Sequence, residues 1–181
     1  MQLGQVKVRI VAWLLLAALL SACNPSVDAF DSIGVLPPTA EVSATTVKIA
    51  QPVTVTLTTD LVLHSQSRVP SQVLENVLLG ACFASDVQEE HVVDPRGFCL
   101  SSGEHDTPLP SHLNMLNGSK FITDLGDVVV KRGQTRDLVH EFTFTSTKAG
   151  KVVLFPNMRF VRGEWGTPDF ANGFRTEIFF E

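Results

Sequence analysis

Alternation between apolar and polar residues is the pattern that sets the fold class of this chain. In residues 52–59 (PVTVTLTT), Val53, Val55 and Leu57 fall on one side of an extended chain, and threonines fall on the other. This period of two predicts a β-strand with one buried face. Threonine is well placed there because β-branched side chains suit a pleated surface.

The same pattern returns in the C-terminal half of the chain. In residues 137–146 one side of the predicted strand carries Leu138, His140, Phe142 and Phe144. Residues 147–150 (TKAG) predict a tight turn, and residues 151–155 predict the returning strand of a hairpin. Because His140 is in phase with apolar neighbours, we expect a hydrogen-bonded structural histidine there rather than a ligand.

Further strands are predicted at residues 40–49, 73–83, 126–131 and 174–180. Residues 84–119 contain closely spaced turn residues and predict an irregular crossover, with short strands near 90–93 and 98–101. Residues 156–173 look like a loop, apart from a short strand near 158–161. Short strands separated by turns predict an all-β sandwich of about seven strands.

The N-terminal residues have the pattern of an export signal. Lys7 and Arg9 precede an apolar run over residues 10–20, and small residues follow it. This order is typical of a secretory signal peptide. The apolar run is shorter than the roughly 20 residues that a membrane-spanning helix needs.

The end of this segment, Leu20-Ser21-Ala22-Cys23, resembles the lipobox of bacterial lipoproteins. The resemblance implies cleavage before Cys23 and attachment of lipid to that residue. We therefore expect a signal peptide at 1–22, a lipidated Cys and tether at 23–38, and one domain at 39–181. The domain is expected at the cell membrane or outer membrane, facing the periplasm or the exterior.

Charge narrows the range of partners. The whole chain has a net charge of −5, and loss of Lys7 and Arg9 leaves 12 basic against 19 acidic residues, or −7. This balance disfavours nucleic acid, whose binding depends on Lys and Arg neutralising phosphates. It also disfavours electrostatic binding to anionic lipid. The expected membrane contact is therefore the N-terminal lipid.

Two cysteines remain once Cys23 carries lipid. In an oxidising compartment Cys82 and Cys99 are best interpreted as a disulfide, which would close part of the irregular insertion. Free or metal-bound thiols are the alternative.

Two segments resemble bacterial immunoglobulin-like domains. Residues 142–154 (FTFTSTKAGKVVL) are similar to a hairpin found late in such domains, and residues 47–55 (VKIAQPVTV) are similar to their opening strands. The resemblance implies an immunoglobulin-like antiparallel sandwich. No Trp lies between Cys82 and Cys99, so the antibody-type signature is absent.

Motifs for catalysis are absent from the sequence, which has no G-x-S-x-G, no H-E-x-x-H and no G-x-x-x-x-G-K-[ST]. We therefore expect no enzyme activity and no cofactor, although catalytic groups scattered along the chain remain a rival interpretation.

Two sets of side chains have the chemistry of metal ligands. One lies in the polar loop 86–106, where the simpler interpretation is a solvated loop that binds no metal. The other has the ligand types of a copper site on a cupredoxin-like sandwich, but residues 150–180 contain no Cys or His where cupredoxins hold theirs. The first set is Asp86, Glu89, Glu90, His91, Asp94, Glu104, His105 and Asp106; the second is Cys99, His105, His112 and Met115.

The loop at 159–174 is the best candidate for a binding site. It contains Trp165, Phe170 and Arg162, and aromatic and Arg side chains are enriched where proteins bind partners. The competing interpretation is that Trp165 and Phe170 turn inward and close the end of the sandwich.

The sequence as a whole predicts a lipid-anchored, non-catalytic binding module of the cell envelope, whose partner is an envelope protein or polymer. The alternative is a periplasmic β-sandwich that binds a small molecule or metal, with a cupredoxin-like fold but no intact copper site.

Overall fold

The computed structural model describes residues 31–85, 109–162 and 168–181. All regular structure in these ranges is β-structure. The strands are β1 (Gly34–Val35), β2 (Thr39–Val42), β3 (Thr46–Val47), β4 (Val53–Val62), β5 (Ser71–Ser85), β6 (Leu113–Met115), β7 (Ile122–Lys131), β8 (Thr135–Ser146), β9 (Gly150–Arg162), β10 (Pro168–Asn172) and β11 (Thr176–Phe180).

Sheet A has five strands in the order β1-β4-β8-β6, and β2 lies on the same edge of β4 as β1. All of its pairs are antiparallel. The pairing of β4 with β8 runs from Val53 opposite Phe144 to Val62 opposite Thr135 without a register shift. This long regular ladder keeps the alternation of both strands in phase, as one buried face requires.

Sheet B has six strands in the order β3-β11-β9-β5-β7, and β10 lies beside β11 on the same edge of β9. Its pairs are antiparallel except for the short parallel pair of β3 with β11. β5 is an inner strand between β9 and β7, and its pairing with β7 shifts register between Leu74 and Val77. Asn76, at this bulge, has a positive φ of 50°.

The main core lies between the inner faces of the two sheets. Phe83 of sheet B meets Phe142 and Phe144 of sheet A edge to face, with ring centroids 6.0 and 5.3 Å apart. Such pairs add about 1 kcal/mol each to the burial of the rings. The aromatic cluster therefore joins the two sheets of the sandwich.

Several sequence predictions are confirmed. In β4, Val53, Val55 and Leu57 are fully buried while the intervening threonines are not. The predicted hairpin forms, since β8 ends at Ser146 and β9 begins at Gly150. His140 is a structural residue, because its Nε2 lies 2.7 Å from the Lys120 carbonyl oxygen.

The expected number of strands was wrong, since the described residues contain eleven rather than about seven. β9 continues to Arg162 through a stretch expected to be largely loop, and β10 also falls there. β6 lies inside the segment expected to be irregular. The strands near 90–93 and 98–101 lie outside the described residues.

The domain also begins earlier than residue 39. Ile33 is only 1% exposed within the main core, and β1 pairs with β4. Residues 31–38 therefore belong to the sandwich, and the expected tether ends too late. Residues 1–30, with the expected signal peptide and Cys23, lie outside the described residues.

Candidate functional site

The structure separates Arg162 from Phe170, two residues that the sequence assigned to one site. Arg162 lies on the inner side of sheet B, with its guanidinium carbon 5.1 Å from the ring centroid of buried Phe160. Its Nε is 3.6 Å from the Asp169 carboxylate. Phe170 is the next residue after Asp169 and points to the opposite face, where it pairs with Arg159. Trp165 lies outside the described residues.

Phe170 belongs to a second apolar cluster on the outer face of sheet B. The buried members of this outer-face cluster are Leu78, Cys82 and Ile122, and Phe155 and Phe170 are packed against them. The cluster forms because β5 is apolar on both faces, so Leu78 points outward while Leu79 enters the main core. Phe170 is therefore half-buried on the outer face of sheet B, and it neither turns inward nor closes the end of the sandwich.

Polar side chains border this cluster along β9 and β10. Asn157 is fully buried, and its Nδ2 donates to Asn172 Oδ1 at 2.5 Å. Arg159 is the next outward residue on β9, opposite Leu78 and Phe170. Its Nε is buried without a hydrogen-bond partner in the described part of the chain. The outer face of sheet B thus combines apolar, amide and guanidinium groups.

Among the described residues of the 159–174 segment, the exposed aromatic residue is Phe174, which the sequence analysis did not select. Phe174 is 84% exposed at the junction of β10 and β11. Its neighbour Gly173 is held in place, because its backbone N–H donates to the Pro156 carbonyl at 2.9 Å. An aromatic ring this exposed beside a fixed backbone is a feature of contact surfaces. The sequence feature that could have indicated this exposure is the position of Phe174 between Gly173 and Arg175.

The outer face of sheet A is polar instead. Threonine hydroxyls bond across its strands, with 3.0 Å between the Oγ1 atoms of Thr54 and Thr143, and 2.8 Å between those of Thr39 and Thr58. Four carboxylates share this face, and β2, β4 and β8 place no basic side chain on it. These carboxylates are Glu41, Asp60, Asp137 and Glu141.

The two segments singled out in the sequence leave the sandwich at opposite ends. We name the Asp31 end for residues 31–33, 63–70 and 131–134, and the Ser85 end for Ser85, His112, residues 48–51 and residues 147–149. Arg162 pairs with Leu74 near the Asp31 end of sheet B, so residues 163–167 follow from there. Residues 86–108 follow Ser85 at the other end.

His112 holds the two stems of that second segment together. Its Nε2 lies 3.1 Å from Ser85 Oγ, and its carbonyl accepts the Thr147 N–H at 2.8 Å. The ring is only 2% exposed. This hydrogen bond uses Nε2 alone, and two members of the copper set, Cys99 and His105, lie outside the described residues.

Metal ligands do not assemble in the described ranges, where no group of three or more His, Cys, Asp or Glu side chains could hold an ion. The acidic and histidine residues of loop 86–106 lie outside those ranges. Met115, the last member of the copper set, lines a cleft of about 710 Å³ together with residues 119–124. This volume falls within the range of small-molecule sites.

The cysteines are placed only in part. Cys82 is fully buried in the outer-face cluster and is not a free thiol. Cys99 lies outside the described residues, so its pairing with Cys82 stays a prediction. The described ranges also contain no helix that is long and apolar enough to cross a membrane.

Comparison with known proteins gives only distant similarities. No protein-family model and no curated protein matches the sequence. Among solved structures, the sporulation control protein Spo0M from Bacillus subtilis is 12% identical, with a TM-score of 0.33 over 82% of this chain and 50% of that one. A chain of the human complex between zinc 2-glycoprotein and prolactin inducible protein is 12% identical, with a TM-score of 0.34 over 82% and 95%.

A cohesin module from a Clostridium perfringens family 33 glycoside hydrolase is 10% identical, with a TM-score of 0.28 over 80% of this chain and 97% of that one. At these identities and scores, none of the similarities assigns a function or a subtype of sandwich.

Proposed function

We propose that this protein is an exported, lipid-anchored binding module without catalytic activity, which holds a partner in the cell envelope. The lipobox-like Leu20–Cys23 supports the anchor. A lipid anchor would confine the domain to a surface and raise its effective concentration near envelope components. The partner is an envelope protein or polymer.

The contact surface that we propose is the edge formed by β10 and β11. The observation that carries this choice is Phe174, an 84% exposed aromatic side chain beside the rigid Gly173. In the described ranges β10 pairs with β9 alone. An edge strand next to an exposed ring suits an extended segment of another chain.

The subtype of the sandwich and its disulfide are part of the same proposal. We assign the fold to the immunoglobulin-like type on the resemblance of residues 142–154 and 47–55, supported by two largely antiparallel sheets. We pair Cys82 with Cys99, supported by the full burial of Cys82 and by export to an oxidising compartment. The disulfide would fasten the 86–108 segment to the outer face of sheet B.

Photo-cross-linking in cells tests the binding surface. A photoreactive residue replaces Phe174 in one variant and Val139 in the other, because both positions are exposed and apolar but lie on different sheets. We expect an abundant adduct from position 174 and none from position 139. Equal adducts from both positions, or no adduct from 174, would contradict the proposed surface.

The anchor has its own test. Intact-mass measurement of the protein from membranes is expected to show an acylated chain that begins at Cys23. A Cys23→Ala variant is expected to leave the membrane fraction while its thermal unfolding stays unchanged. An unmodified Cys23 would remove the anchor from the proposal.

The cleft beside β7 favours one alternative function, the binding of a small molecule. Thermal-shift screening with sugars, amino acids and divalent cations would detect it, because a ligand present at 100 times its Kd stabilises the folded state by about 2.7 kcal/mol. A Ser119→Trp variant, which fills the cleft, should abolish such a shift. A shift that survives this substitution would place the ligand elsewhere.

A further inference from the structure

The Asp31 end is tied together by contacts among three segments. Asp31 Oδ1 accepts the Arg68 N–H at 2.6 Å and the Ser67 hydroxyl at 3.2 Å. Arg132 donates through Nε and Nη2 to the Val69 and Arg68 carbonyls, at 3.1 and 2.9 Å. The position at which the chain enters the domain is therefore fixed beside residues 63–70 and 131–134.

The length of chain before this point limits how far the domain can stand from its anchor. Asp31 is the eighth residue after Cys23. An extended chain covers at most about 3.5 Å per residue, so the Asp31 end lies within about 28 Å of a lipid on Cys23. The Ser85 end lies at the other end of the long strands.

The Asp31 end is basic although the protein as a whole is acidic. Its described residues carry three exposed cationic side chains, Arg68, Lys131 and Arg132, against the single carboxylate of Asp31. That carboxylate already accepts two hydrogen bonds from the fold. Among the described residues, the Arg68 and Lys131 side chains have no ion pair or hydrogen bond.

We propose that the Asp31 end binds the anionic headgroups of the membrane that carries the lipid anchor, and so sets the orientation of the domain. The inference rests on the proposed anchor. Basic residues near an anionic surface each strengthen binding about fivefold, and only within about 8 Å at physiological salt.

Hydrogen exchange on vesicles tests this orientation. The core residues of the described ranges lie between Ile33 and Phe180, so residues 24–181 contain all of them. This chain, with an N-terminal hexahistidine, is tethered to nickel-chelating vesicles of phosphatidylcholine, with or without phosphatidylglycerol. We expect phosphatidylglycerol to slow amide exchange in residues 63–70 and 131–134, and not in 147–149.

Two double variants with the same change in charge make the test specific. Arg68→Gln with Lys131→Gln removes two charges from the Asp31 end and should weaken binding by about 25-fold, which abolishes the protection. Lys48→Gln with Lys148→Gln removes two exposed charges from the Ser85 end and should keep it.

Equal loss in both variants would show that net charge alone acts, and would overturn the proposal. Equal exchange on the two kinds of vesicle would also overturn it. Because the hexahistidine supplies the tether, this result does not depend on lipidation of Cys23. An unmodified Cys23 in cells, together with protection on vesicles, would count against the anchor alone.

Discussion

The outer faces of the two sheets are built from the same strand geometry but present opposite chemistry. On sheet A, hydroxyl pairs such as Thr54 with Thr143 satisfy one another, and carboxylates surround them. On sheet B, Leu78, Cys82 and Ile122 are buried on a face that no described strand covers. The polar face is held by hydrogen bonds within the sheet, whereas the apolar face is partly covered by Phe155 and Phe170.

This difference shows that apolar residues are buried on the outer face of sheet B as well as between the two sheets. β4 alternates strictly, so sheet A has one core-facing side. β5 is buried on both sides from Val77 to Phe83, so sheet B has two. A strand that is apolar on both faces commits the fold to a second covering layer. The proposed Cys82–Cys99 pairing would attach that layer.

Adjacent leucines on β5 allow the two apolar regions to be compared directly. Leu79→Ala empties part of the main core and should reduce the free energy of unfolding by about 4 kcal/mol. Leu78→Ala removes the same atoms from the smaller outer-face cluster, where we expect a loss of about 2 kcal/mol. Urea denaturation measures both. Equal losses would mean that the outer-face cluster is as tightly packed as the main core.

The contact between the edges of the two sheets is tested at Gly173. A Cβ there would overlap the Pro38 carbonyl oxygen and lie 2.9 Å from its carbonyl carbon. Gly173→Ala should therefore lower stability by about 3 kcal/mol and Tm by about 8 °C. Gly34→Ala is the control, because its Cβ would lie at an ordinary 3.6 Å from the Val62 carbonyl oxygen. A neutral Gly173→Ala would show that these edges separate easily.

The smallest expected effect concerns the threonine pairs of sheet A. A double-mutant cycle with Thr54→Val and Thr143→Val should give a coupling energy of about 0.5 kcal/mol, since cross-strand hydroxyl pairs are weak. The control cycle combines Thr58→Val with Thr143→Val, which share no hydrogen bond in the structure. Coupling of the same size in both cycles would mean that the hydroxyl contact is not its source.

Long, regular strands could be predicted from the sequence because their alternation repeats over many residues. β4 and the hairpin of β8 and β9 are such cases. β1, β3 and β6 have two or three residues each, too few for a period to appear. β10 could not be predicted because its register is set by its pairing with β9. That pairing leaves no repeating pattern in the sequence.

The candidate site was less predictable than the fold. Arg162 and Phe170 are close in sequence, but the register of β9 with β10 places them on opposite faces of sheet B. The basic Asp31 end was also invisible in the sequence, because Arg68 lies more than sixty residues from Arg132 and the fold brings them together. Function here depends on positions that strand pairing decides.

The hydrogen bond between Ser85 and His112 affects how much the length of the segment between them can change. The segment between them leaves and returns at nearly one point, because the two side chains are only 3.1 Å apart. Doubling the length of a segment closed in this way costs only about 0.6 kcal/mol. Insertions, deletions or a transplanted recognition loop could therefore be accepted at this position while the eleven strands keep their pairing.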